Sequence, residues 1–113
     1  QDTSLANNVL MLTPFAADNP AENVQSFVKK YQEAYGATPD QFAADAYDAI
    51  YAIKAAVEKA GSTSGAALAS ALTSLTVEGV SGTMTWAADG NTNKPASAIL
   101  YYDGVGTLFD SQD

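Results

Sequence analysis

Apolar residues recur at intervals of three and four from Val24 to Tyr35, through Phe27, Val28 and Tyr31. They do so again from Phe42 to Ala60, through Ala46, Ala49, Ile50, Ile53 and Val57. That spacing is the period of one helix face, and it predicts two long helices. The first opens at Asn19-Pro20, a capping residue followed by the residue best suited to the first helical position, with Glu22 three places past the cap. It should run over about 20–35 and stop at Gly36. The second opens at Thr38-Pro39, with Thr38 as cap, and stops at Gly61; Lys59 sits where a cation favours the negative end of the helix dipole. Its alanines carry high helix propensity and suit close packing. After the linker Ser62-Thr63-Ser64-Gly65, a third helix is expected over about 65–75, with Leu68, Leu72 and Leu75 on one side.

Elsewhere the pattern is that of strands. VLML, ended by Thr13-Pro14, reads as a buried strand that stops at the proline. In GTMTWA, Thr83 and Thr85 alternate with Met84 and Trp86, the mark of a half-buried strand. Asp89-Gly90 is a turn, SAILYYDG another strand, and Asp103-Gly104 leads into VGTLF as a hairpin. Trp86 with Tyr101 and Tyr102 reads as aromatic pairing across adjacent strands. The predicted order is β-α-α-α-β-β-β, an α/β layering with short strands after three helices. Two long helices need a sheet to cover, and the strands supply little of it. The pattern points to a further portion or a partner chain.

Composition narrows the function. The 113 residues suit one domain, and 47% of them are apolar, enough for a globular core. The longest apolar runs, Ala49–Ile53 and Ala98–Tyr102, fall far short of the ~20 residues that span a bilayer. QDTSLANN has neither the basic start nor the apolar stretch of a signal peptide, which leaves export open. Thirteen acids against five lysines, with no arginine or histidine, give a net charge of −8. That charge disfavours nucleic acids and anionic membranes as partners. Cysteine is absent, which excludes disulfides, thiolate metal sites and a cysteine nucleophile.

Catalytic readings find little to work with. Without His or Cys the usual serine and cysteine triads have no base or nucleophile. Asp40, Asp45 and Asp48 gather on the second helix, where paired carboxylates can do acid–base work, but exposed helix acids are the plainer reading. Asp89, Asn91 and Asn93 resemble half a calcium loop; Lys94 and Leu100 stand where such a loop needs Gly and Glu, so a hairpin turn is preferred and no metal site is expected. No phosphate-cradling glycine motif occurs, and no cofactor is implied. The chain is not expected to be an enzyme.

Three segments carry a resemblance: VLMLTPF, then FVKKYQEAYGATPDQFAADAYDAIYAIKAAVEKAGSTSGAALASAL, then LTVEGVSGTMTWAADGNTNKPASAILYYDG. The combination of YG-x-x-P, A-x-x-AYDA, KAGS, EGVSGT and W-x-x-DG is similar to the C-terminal third of the solute-binding proteins that serve branched-chain amino-acid ABC transporters. The resemblance implies an incomplete type I periplasmic-binding-protein fold, built in whole members from two α/β lobes joined by crossing segments. Residues 14–96 would then be the last part of the first lobe, and 1–13 and 97–113 strands of the second. Thr13-Pro14 and Pro95-Ala96 would be hinge crossings, where proline restricts the backbone. Family members place an aromatic facing the ligand at the position of Phe42, and Tyr47 matches a common family tyrosine, so both are candidate ligand contacts. The groups that hold an amino acid's charged ends would lie upstream of Gln1. The resemblance further implies an extracytoplasmic protein, periplasmic or a cell-surface lipoprotein, delivering small apolar amino acids to a membrane permease. Alternatives are a ligand-sensing receptor domain, an amide-responsive regulator, and a homodimer formed through uncovered strand edges.

Overall fold

In the computed structural model, which describes residues 2–109, a 3-10 turn at Thr3–Ala6 precedes strand β1 (Leu10–Thr13) and three helices, α1 (Glu22–Tyr35), α2 (Gln41–Ala60) and α3 (Gly65–Leu72). Five strands follow: β2 (Thr76–Gly79), β3 (Gly82–Trp86), β4 (Thr92–Asn93), β5 (Ser97–Tyr102) and β6 (Val105–Leu108). The predicted order of one strand, three helices and three strands is present, and the short strands β2 and β4 add to it.

The helix ends show which local bonds win. Asn19 does not cap α1; its Oδ1 accepts from Ala21 N at 3.0 Å in a tight turn, while Gln25 Nε2 donates to the carbonyls of Ala17 and Asn19 at 3.0 and 2.7 Å. The helix therefore starts at Glu22, two residues later than the proline suggested. At α2 the cap is Asp40, whose Oδ1 accepts from Ala43 N at 2.9 Å, and Thr38 instead receives Gln32 Nε2 at 3.2 Å. Gly36 and Gly61 stop the two helices with φ of 67° and 59°, a region open to glycine at no steric cost. The third helix ends at Leu72, short of the expected 75, because the hydroxyls of Thr73 and Ser74 donate to the carbonyls of Ser70 and Ala71 and close the turn locally.

The strands form two antiparallel sheets, ordered β1-β5-β6 and β2-β3-β4. The β5–β6 hairpin turns through Asp103 and Gly104, both left-handed, with φ of 48° and 80°, as a two-residue turn matched to strand twist requires. Trp86 lies on β3 and Tyr101 and Tyr102 on β5, so the expected aromatic pairing across adjacent strands does not form: the residues belong to different sheets.

The core is small. Phe15, Val24, Phe27, Val28, Ala44 and Val80 pack together, with the Phe15 and Phe27 rings edge-on at 5.9 Å. The buried line of α2 is Ala44, Asp48, Ala52 and Ala56 rather than the expected apolar stripe. Small residues let α2 approach α3 and β2 closely, and they take the inner face. Phe42, Ile50 and Ile53 stand 77%, 65% and 53% exposed. VLML, expected to be buried, is exposed from Val9 to Leu12, because β1 is apolar on both faces yet pairs with β5 on one side alone among the described residues. The radius of gyration, 16.5 Å, exceeds the ~13 Å of a compact domain of about 100 residues. Large apolar surface on α2 and β1 thus stands uncovered in an extended molecule.

Candidate functional site

Strand β1 ends and β5 begins side by side, Thr13 opposite Ser97 in the ladder. Both expected crossings, Thr13-Pro14 and Pro95-Ala96, therefore leave the same end of one sheet and run toward α2 and the β2–β3 turn. The Thr13 hydroxyl is buried; it accepts from Phe15 N at 3.3 Å and donates to Gln41 Oε1 at 2.9 Å. Beside Pro95, Lys94 Nζ donates to Asp45 Oδ1 at 2.6 Å, with only 22% and 36% of the two side chains exposed. The ring of Pro95 lies against Gly82, whose φ of 104° and missing side chain leave the space the ring occupies. Pro14, Asp45 and Lys94 line one depression beneath α2.

Between the sheet and the start of α2 lies an open cleft of about 510 Å³. Met11, Ile99 and Tyr101 form its sheet side, Pro39, Gln41 and Phe42 its helix side, and Phe15 lines it from the segment after β1. The volume is that of a small-molecule site. Its charged lining is acidic, Asp18 and Asp40, and both are engaged: Asp18 Oδ2 accepts from Leu108 N at 2.8 Å, and Asp40 caps α2. Among the described residues no lysine lines this cleft. The wall can hold an apolar group and offers no cation to an anion.

The structure brings Phe42, Thr13 and the start of α2 to this cleft and leaves Tyr47 out. Five residues along a helix turn the side chain by about 140°. Tyr47 packs tilted against Phe27 and Tyr51 at 4.7 and 4.8 Å between ring centres and lines a second groove with Tyr31, Tyr35 and Ile50, on the α1 side of α2. Its hydroxyl donates to the Tyr51 hydroxyl at 3.4 Å. That bond first, then burial, then the charges of Tyr51 and Asp48, push the Tyr47 phenol up to about 12.

Asp48 is the residue that sequence reasoning misplaced. Read as an exposed helix acid, it is 1% exposed. Its carboxylate accepts from Val80 N at 2.8 Å, from Ser81 N at 2.9 Å and from the Ser81 hydroxyl. A side chain on Gly79 would occupy the place of this carboxylate. The AYDA and EGVSGT segments are thus two halves of one lock. The signal was available: Asp48 falls on the same i, i+4 line as Ala44, Ala52 and Ala56. Asp45, another of the three acids grouped on the second helix, is held by Lys94 rather than free for acid–base work. At the supposed calcium loop, Asp89 bonds Asn91 N and Nδ2 and closes a turn. Among the described residues no group of three or more His, Cys, Asp or Glu side chains is placed to hold a metal.

The sequence profile of the family described as periplasmic binding protein matches residues 2–104. No curated protein matches this chain. Among solved structures, an ABC transporter substrate-binding protein from Desulfitobacterium hafniense, in complex with Leu, is 29% identical over 92% of this chain and 32% of its own, with a TM-score of 0.84. A leucine-binding protein from Thermotoga maritima is 28% identical over 93% of this chain and 31% of its own, with a TM-score of 0.74. A solute-binding protein of an ABC transporter from R. palustris, in complex with benzoate, shares the fold at 21% identity, covering 91% of this chain and 29% of its own, with a TM-score of 0.77. The chain spans about a third of the length of each of these proteins.

Proposed function

This chain belongs to the periplasmic binding protein family, and from that premise we propose that it is the C-terminal third of a two-lobed, extracytoplasmic solute-binding protein that delivers an amino acid with an apolar side chain to an ABC-transporter permease. In this reading residues 14–96 end the first lobe, 1–13 and 97–113 belong to the second, and the chain crosses between them at Thr13-Pro14 and Pro95-Ala96. Its role is binding, with no turnover. Solute favours the closed arrangement by its higher affinity for it, and that difference drives closure.

The observation that carries the reading is Phe42. A phenylalanine 77% exposed at the mouth of a cleft, on a helix whose inner face is already filled by small residues, is not a core residue of this chain. It is available as an aromatic wall for an aliphatic or aromatic side chain. Among the described residues the cationic and anionic ends of an amino acid find no complete set of partners in this cleft, so they are met by the remainder of the protein. Tyr47 enters as the ring that braces Phe27 and α1 behind that wall. The test is a binding panel on the full-length protein: leucine, valine, phenylalanine, glutamate and benzoate, followed by calorimetry. Saturable binding of the apolar amino acids with rejection of glutamate supports the proposal, and preference for glutamate or for no member of the panel overturns it.

One further observation favours self-association of this chain when alone. The outer edge of β1 is unpaired among the described residues, and Leu10 and Leu12 beside it are 55% and 72% exposed. Such an edge recruits another strand. Light scattering at two concentrations separates a dimer through this edge from a monomer.

A further inference from the structure

We propose that Gln41 and Asp45 are positioning residues, which tie both crossings to the first turns of α2 and so hold Phe42 in register with the hinge. The inference rests on the solute-binding reading above. Its geometry does not.

Residues 41 and 45 stand one turn apart and share a helix face. Position 41 takes the first crossing, through the Thr13 hydroxyl at 2.9 Å. Position 45 takes the second, through Lys94 at 2.6 Å. A longer contact, Gln41 Nε2 to Asp45 Oδ2 at 3.5 Å, joins the two. Phe42 follows Gln41 directly and points into the cleft. Each tie joins groups far apart in sequence, 28 residues for Thr13–Gln41 and 49 for Asp45–Lys94. Thr13 is almost fully buried and the ion pair is partly shielded, so neither tie is a loose surface pair. Pro95 seated on Gly82 fixes the second crossing from its other side.

The consequence is a preorganised wall. Solute that presses on Phe42 meets a helix start already locked to both crossings, so movement at the hinge and movement at the wall are one movement. When a tie is cut, the wall drifts relative to the hinge, and the closed state loses solute faster while encounter is unchanged.

The test uses the full-length protein and the variants Lys94→Met, Asp45→Asn and Gln41→Leu, with Lys94→Arg as the conservative control. Stopped-flow kinetics with leucine, or with whichever panel amino acid binds, is read beside hydrogen exchange at Phe15 and at residues 93–97. We expect dissociation about threefold or more faster in Lys94→Met, Asp45→Asn and Gln41→Leu, no further change when Lys94→Met and Asp45→Asn are combined, and recovery in Lys94→Arg. Exchange should quicken at Phe15 as well as at Asn93, Lys94, Ala96 and Ser97 in Lys94→Met, although Phe15 adjoins the other crossing, Thr13-Pro14. Unchanged dissociation with lowered thermal stability would make the ties purely structural and overturn the proposal, as would exchange that quickens only beside the substituted residue. Wild-type protein that binds no panel member would instead sink the solute-binding reading, and the exchange result would still decide whether the two crossings are coupled through α2.

Discussion

The Asp48 carboxylate and the backbone N–H of Ser81, 33 residues apart in the chain, meet at 2.9 Å in the interior. With Val80 N and the Ser81 hydroxyl, this bond fastens the middle of α2 to the β2–β3 turn. Replacing Asp48 by Ala leaves two buried N–H groups without acceptors and opens a void. The expected loss is about 2–4 kcal/mol of stability, read by urea denaturation of the wild type and the variant. Stability unchanged within half a kcal/mol would show that water replaces the carboxylate.

Gly79 extends the same lock. It lies outside the left-handed region, so its requirement is steric rather than conformational. A methyl group there meets the Asp48 carboxylate. Gly79→Ala should cost about 1–3 kcal/mol, and less when Asp48→Ala has removed the obstacle. Additive losses in the double variant would contradict the collision.

Phe42 behaves in the opposite sense. Its exposure predicts that Phe42→Ala changes stability by no more than about 0.5 kcal/mol. In the full-length protein the same substitution should weaken binding of an apolar amino acid by about tenfold. Calorimetry with thermal unfolding reads both. A large loss of stability would return Phe42 to the core.

The Tyr47 phenol offers a test by titration. Its folded value, about 12, lies above the unperturbed 10.0, so the fold favours the neutral ring. The contribution is fully present below pH 10 and is lost as pH rises through 10 toward about 12. Tyr51→Phe removes the main cause and should bring the Tyr47 midpoint back toward 10, as followed by the ring resonances in NMR. A midpoint that does not move would assign the shift to burial.

The helices were legible because glycine stops and three–four spacing are local signals. Their caps were less so: Asn19 and Thr38 are good capping residues that found other partners, in Ala21 and Gln32. The face of α2 misled for a physical reason. Periodicity finds the larger apolar stripe, and on this helix the larger stripe is the uncovered one, while alanines and Asp48 take the close contact. Phe42 was named as a candidate ligand contact through family likeness, whereas its spacing placed it in a core stripe that its 77% exposure rules out. The Asp45–Lys94 and Thr13–Gln41 ties carry no pattern in the sequence, since each depends on segments that only the fold brings together.

Calorimetric titration of leucine, valine and phenylalanine into this 113-residue chain tests the central claim most directly. One wall of a cleft, with an incomplete set of partners for the charged ends of an amino acid among the described residues, predicts no measurable heat at micromolar concentrations. Micromolar affinity for any of the three would contradict the account, because the chain would then hold a complete site of its own.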